Sequence, residues 1–247
     1  MTTILHARDL SLSYPGASLP ALDSVSLSIG HGESVAIMGA SGSGKTSLLH
    51  CLAGIIRPAS GSITFVSSAG PLQVETLDDG ARARLRREEF GFVFQQGLLL
   101  HELTALENVA VARMLNGVPR AHAEEEAVRW LAHLGLAGME NRRLGELSGG
   151  QAQRVAIARA QITGARLIFA DEPTGALDST TSTEVLDLLL GTVGEGRTLV
   201  MVTHDPEVAR RCGRIVTLSD GRIVSDTGSP ASASAPGAFG LGSGAAR

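Results

Sequence analysis

One stretch constrains this chain more than any other: GASGSGKT, residues 39–46, set directly after the apolar run SVAIM and directly before SLLHCL. It fits the pattern G-x-x-x-x-G-K-[ST] in the strand–loop–helix setting that gives the pattern its meaning. Small residues let successive backbone N–H groups turn inward around a polyphosphate, and the start of the following helix adds partial positive charge. Gly39, Ala40, Ser41, Gly42, Ser43 and Gly44 are therefore candidate phosphate-cradling residues, with Ser47 just inside the helix. Lys45 supplies a full charge near the β- and γ-phosphates, and Thr46 offers a hydroxyl to Mg²⁺. Lys45 is the only lysine in the chain; the other basic side chains are arginines. A planar guanidinium would crowd a tight loop that a compact ammonium fits.

Around this loop the hydrophobic pattern changes period. ILHARDLSLSY and VSLSIGHGESVAIMG alternate with period two, broken at residues 30–32, and GSITFV is another short strand. From Thr46, Leu48, Leu49, Leu52, Ile55 and Ile56 share roughly one helical face, and Pro58 fits a helix stop. Residues 67–80 read as a polar connector and 81–89 as a short charged helix. Its arginines are followed at once by glutamates without interleaved aromatics, which favours a solvated face over a nucleic-acid surface. FGFVFQ reads as a strand, and residues 98–147 as largely helical, with Trp130 a packing residue in the clearest amphipathic piece. From Gln151 onward helices and strands alternate again, and RIVTLSDGRIVSD reads as a hairpin turning at Asp220-Gly221. After about residue 229 only small and turn-forming residues remain, which predicts a disordered tail beyond a domain spanning residues 1–228.

Composition narrows the partners. The net charge of −4 gives no electrostatic footprint for nucleic acid. No run of 18 apolar residues occurs, and the first residues lack a basic stretch followed by an apolar one. The expectation is a cytosolic chain that reaches a membrane only through another protein. Cys51 and Cys212 have no metal-ligand spacing and read as reduced, buried thiols.

Further polar residues fall where apolar strands end. RLIFADEPT closes a strand with Asp171 and Glu172. Paired acids usually face solvent, but after a phosphate loop the first is suited to Mg²⁺ and the second to orienting and deprotonating a water. His204 follows TLVMVT, and Gln95 ends FGFVF; polar groups at the carboxyl ends of parallel strands lie where such sheets bind ligands. His204 could contact the γ-phosphate, and Gln95 could reach Mg²⁺ through its carbonyl. A second glycine pair, in LSGGQ at residues 147–151, opens another helix and so forms a second anion-suited end.

Taken together these residues resemble the ATP-binding subunit of ABC transporters, over roughly residues 4–228. The resemblance rests on the phosphate loop, Gln95, LSGGQ, LIFADEPT, GALD at residues 175–178 and THD at residues 203–205. It implies an α/β fold: a P-loop NTPase (RecA-like) core, an N-terminal antiparallel β-subdomain, and an inserted α-helical signature subdomain over about residues 98–160. It implies ATP and Mg²⁺ as cofactors, with Lys45, Gln95, Glu172 and His204 catalytic and Thr46, Gln95 and Asp171 at the metal. Tyr14 takes the position of an adenine-stacking aromatic; its plainer reading is an edge-strand side chain. Two copies are expected to pair head to tail, so that Ser148, Gly149, Gly150 and Gln151 complete the γ-phosphate site of the partner copy while Asp178 runs along the seam. The wider partner is a separate transmembrane permease, met at the cytoplasmic face of the membrane by the Gln95 loop and residues 98–147.

Within the family, LRREEFGFVFQQ is similar to the group serving lipoprotein release, macrolide export and cell division. Three positions depart from that group: GLLLH at residues 97–101, Gly145 before Glu146, and Ala152 after the signature. An ABC-type ATPase not linked to transport is the alternative. Repair types need long coiled coils for which this spacing has no room, and translation types carry two such domains in tandem. A P-loop kinase or nucleotide switch leaves LSGGQ and His204 unused.

Overall fold

The computed structural model describes residues 2–95 and 98–228; the tail expected from residue 229 lies outside the described residues. Two sheets organise the chain. The first holds β1 (Thr3–Leu12), β2 (Leu22–Gly30), β4 (Ser60–Ser67) and β5 (Gly70–Gln73) in the order β2-β1-β4-β5, antiparallel throughout. The second has the order β10-β9-β3-β8-β7-β6, from β3 (Ser34–Met38), β6 (Phe90–Phe94), β7 (Leu167–Asp171), β8 (Thr198–Thr203), β9 (Arg214–Ser219) and β10 (Arg222–Asp226). Its pairs are parallel except for the β9–β10 hairpin. Every residue of β8 is buried, as a parallel strand covered on both faces must be, and this is why TLVMVT is apolar without alternation.

The helices are α1 (Lys45–Leu52), α2 (Asp79–Glu88), α3 (Ala105–Met114), α4 (Arg120–His133), α5 (Gly149–Gln161), α6 (Ser179–Gly194) and α7 (Pro206–Arg210). One apolar core lies between the antiparallel sheet, α1 and one face of the parallel sheet; a second lies on the other face, under α3 to α7. Phe90 joins the two sheets by meeting Phe65 edge-on at 4.8 Å and Phe169 at 5.2 Å.

Several local expectations need correction. The helix after the phosphate loop stops at Leu52 instead of running through Ile56, because Gly54 takes φ +63° and the N–H groups of Ile55 and Ile56 turn back to the His50 carbonyl. Ile55 is left 38 % exposed. The connector at residues 67–80 contains β5, and its end caps α2, since the Asp78 carboxylate accepts from the Ala81 N–H at 2.7 Å. Residues 98–147 hold α3 and α4, then irregular chain and a short 3-10 helix (Leu144–Glu146) directly before the signature. The hairpin does turn at Asp220-Gly221, both with positive φ.

Candidate nucleotide site

The strand–loop–helix at residues 34–52 builds the floor of a cleft of about 870 Å³. Gly44 has φ +99°, and a Cβ there would lie 2.2 Å from the Ala21 carbonyl oxygen, so no other residue fits without moving the loop. The C-terminal hairpin braces the loop from beneath: the Gly221 N–H donates to the Ser43 carbonyl at 3.1 Å. Lys45 is buried and its Nζ donates to the Ala40 carbonyl at 2.8 Å, which aims the ammonium into the loop. The Ser43 hydroxyl is buried and has no hydrogen-bond partner. That hydroxyl is turned away from the cleft, whose loop lining is Ala40, Ser41, Gly42, Gly44, Lys45, Thr46 and Ser47.

The same cleft gathers Tyr14, Ala40, Ser41, Gly42, Gly44, Lys45, Thr46, Ser47, Glu172 and His204 from four separate parts of the chain. Tyr14 lies just past β1, 42 % exposed, its hydroxyl 3.1 Å from Ser47 Oγ. Thr46 Oγ1 donates to Asp171 Oδ1 at 3.3 Å. Burial is the largest influence on Asp171 and raises its carboxyl above the ordinary value, against the Thr46 hydrogen bond and His50, which pull the other way. A hydroxyl and a carboxylate converging beside a phosphate cradle form an all-oxygen donor set, which fits a hard divalent cation.

Glu172 takes φ +47°, uncommon for a residue with a side chain, and its N–H is fixed by the Val202 carbonyl at 3.0 Å. That geometry swings its carboxylate toward β8, where Oε2 meets His204 Nδ1 at 2.9 Å. Gln95 lies immediately past β6. A Cβ on Gly175 would come within 2.9 Å of its Nε2 and 3.4 Å of Glu172 Oε2, so Gln95 and Glu172 flank the same glycine. The site thus brings together three strand ends that are distant in sequence.

The signature lies apart from the cleft. Ser148 caps α5 reciprocally with Gln151: Ser148 Oγ accepts from the Gln151 N–H at 3.3 Å, and Gln151 Oε1 accepts from the Ser148 N–H at 2.9 Å. The N–H groups of Gly149 and Gly150 are left for an external acceptor. Asp178 caps α6 beside it, accepting from the Thr181 N–H at 3.0 Å and the Thr181 hydroxyl at 2.7 Å. These bonds hold its carboxyl below the usual range. Among the described residues that line the phosphate-loop cleft, none comes from residues 147–151 or is Asp178. Sequence reasoning missed Ala21 and the bracing role of Gly221, because neither carries a motif; only their closeness to the loop gives them a part.

The fold and the site define a P-loop nucleotide-binding cassette of the ATP-hydrolysing kind. The chain belongs to the ABC transporter family, whose model matches residues 22–175. It is 48 % identical over 238 residues to a macrolide export ATP-binding/permease protein of Paracoccus denitrificans, covering 95 % of this chain and 35 % of that one. It is 44 % identical over 229 residues to the pyoverdine export ATP-binding/permease protein of Pseudomonas fluorescens, covering 92 % and 34 %. The chain therefore spans about a third of the length of these curated relatives. Among solved structures it is similar to an ATP-binding cassette in a dimeric post-hydrolysis state bound to ADP and Pi, with TM-score 0.81 and 36 % identity, covering 90 % of this chain and 97 % of that one.

Proposed function

We propose that the chain is the ATP-hydrolysing unit of an export complex, working as a head-to-tail pair of copies and driving a transmembrane permease. One observation carries this reading. The chain has two anion-suited helix starts, at Gly44–Lys45 and at Ser148–Gly149, and they do not share a cleft. A single copy can cradle a triphosphate but cannot close over it. Pairing lets the free N–H groups of one signature cover the γ-phosphate held by the other copy's loop.

Within each cleft, Lys45 and the N–H groups of residues 39–46 hold the phosphates, and Tyr14 supports the base. Thr46, Asp171 and Gln95 would hold Mg²⁺, which when bound offsets the charge of the β- and γ-phosphates. Glu172 orients the attacking water and accepts its proton. His204, tied to Glu172 at 2.9 Å, fixes that carboxylate and faces the γ-phosphate. Residues 98–160 act as the helical unit that carries the signature.

Two features support a permease. The relatives' names join an ATP-binding part to an export permease. A groove of about 530 Å³ beside β6 has an apolar floor that includes Ile55, Phe92, Phe94 and Leu115, with Arg86 and Arg87 on its wall. We assign it to a cytoplasmic helix of the permease that carries an acidic residue. The permease is also the anchor we assign at the cytoplasmic face of the membrane; no helix among the described residues is long and apolar enough to cross one.

The experiment is Glu172→Gln. The variant should bind ATP, lose phosphate release, and accumulate as a dimer at saturating ATP in sedimentation. ATP-saturated protein that stays monomeric would overturn the pairing, and unchanged phosphate release would overturn the role of Glu172.

A further inference from the structure

The strand β6, which ends just before Gln95, lies at the edge of the parallel sheet, paired with β7 on one side only. An edge strand leaves carbonyl groups with no ladder partner, and these need donors when they are covered. Here α5 packs across β6. The approach is close: a Cβ on Gly91 would lie 2.6 Å from the Ala160 carbonyl oxygen. Gln153, 3 % exposed and two residues past the signature, donates from Nε2 to the Phe94 carbonyl at 3.0 Å. Phe94 is the residue immediately before Gln95. Six residues further along α5, Arg159 Nη1 donates to the Leu98 carbonyl at 2.8 Å, on the far side of Gln95.

We infer that Gln153 is a positioning residue for Gln95: its amide fixes the peptide from which the Gln95 side chain departs, and so sets where that side chain meets the metal and water end of the site. The inference rests on the reading of Gln95 as a Mg²⁺ ligand. Gln153 touches neither nucleotide nor metal; it acts through the Phe94 carbonyl. The bond also makes the signature helix and the Gln95 turn one unit, because a shift of α5 pulls directly on that carbonyl. A plain structural glutamine, present only to satisfy a buried acceptor, would affect stability and leave metal recognition alone.

The test separates these. In the Glu172→Gln background, where ATP is not consumed, the affinity of the full chain for ATP is measured with Mg²⁺ and with EDTA, and the ratio is the advantage conferred by the metal. Gln95→Ala should reduce that ratio roughly tenfold, as loss of a ligand or its supporting contact does at metal sites. Gln153→Met, close in size but without the amide, should reduce it by a similar factor and leave the EDTA affinity within about twofold. The double variant should lose no more than either single one, because both act through one side chain. Should methionine unfold the chain, Gln153→Asn serves the same purpose: its amide is one methylene short of the Phe94 carbonyl. A double variant whose loss is the product of the single losses overturns the inference, as does a Gln153 variant with an unchanged ratio beside a deficient Gln95→Ala. An unchanged ratio in Gln95→Ala overturns the Gln95 reading, and the inference with it.

Discussion

Replacing Gly44 by alanine should cost the nucleotide-free chain far more than replacing Gly42, although both have left-handed backbones, φ +99° and +81°. The conformational part is shared, about 1–2 kcal/mol for a residue with a side chain in that region. The packing part is not. A Cβ on Gly44 would lie 2.2 Å from the Ala21 carbonyl oxygen, whereas a Cβ on Gly42 meets nothing within 4 Å. Carbon–oxygen contacts settle near ~3.3 Å, so the loop or the chain entering β2 must shift by about 1 Å. Overpacking of that size adds roughly 1–3 kcal/mol. Gly42→Ala should then cost about 1–2 kcal/mol and Gly44→Ala roughly 2–5 kcal/mol. For a chain of this size each kcal/mol lowers the Tm by about 2–4 °C. Scanning calorimetry without nucleotide should therefore show a depression of about 2–8 °C for Gly42→Ala and one roughly 2–12 °C larger for Gly44→Ala. Equal depressions would refute the argument that the Ala21 carbonyl, rather than backbone strain alone, requires glycine at position 44. A shift of about 1 Å in the cradle should also slow ATP hydrolysis in Gly44→Ala, by roughly 100-fold.

Two further predictions concern charge and burial. Arg214 grips Asp226 through two bonds of 2.7 Å in a largely buried pair, which holds the Asp226 carboxyl below its ordinary value. Asp226→Asn should cost about 2 kcal/mol at neutral pH, typical of a hydrogen bond to a charged group. A depressed carboxylate contributes fully above its unfolded value near ~3.9 and loses that contribution as pH falls through the lower folded value. The gap between wild type and variant in urea midpoint should be flat above about pH 5 and close in stronger acid; a gap that instead closed toward alkaline pH would contradict the assignment. Burial pushes the Cys51 thiol up to about 12 and the Cys212 thiol up to about 11. Neither should react with an aromatic disulfide at pH 8 in the native chain, and both should react once urea unfolds it; prompt native labelling would show that the burial is wrong.

The polar groups that meet at the cleft were legible in the sequence because each sits in a local pattern. GASGSGKT specifies strand, loop and helix from eight adjacent residues, and RLIFADEPT and TLVMVTHD each carry a buried strand together with the polar group at its end. A run of apolar residues without alternation already says that a strand is covered on both faces, and that in turn says which end meets a ligand. Local spacing failed where backbone geometry overrides periodicity: Ile55 and Ile56 continue the helical face of α1, yet Gly54 turns the chain before them.

What only the tertiary structure decided are contacts between segments that share no pattern. Ala21, the Asp220-Gly221 turn and the phosphate loop lie far apart in the chain, and their meeting depends on how two sheets stack over one core. The same holds for Gln153 and Phe94, 59 residues apart and joined because α5 packs across β6. A motif records which groups a reaction needs within a few residues of one another. Which distant backbone atom those groups lean on is fixed by packing, and packing has no spacing that can be read along the chain.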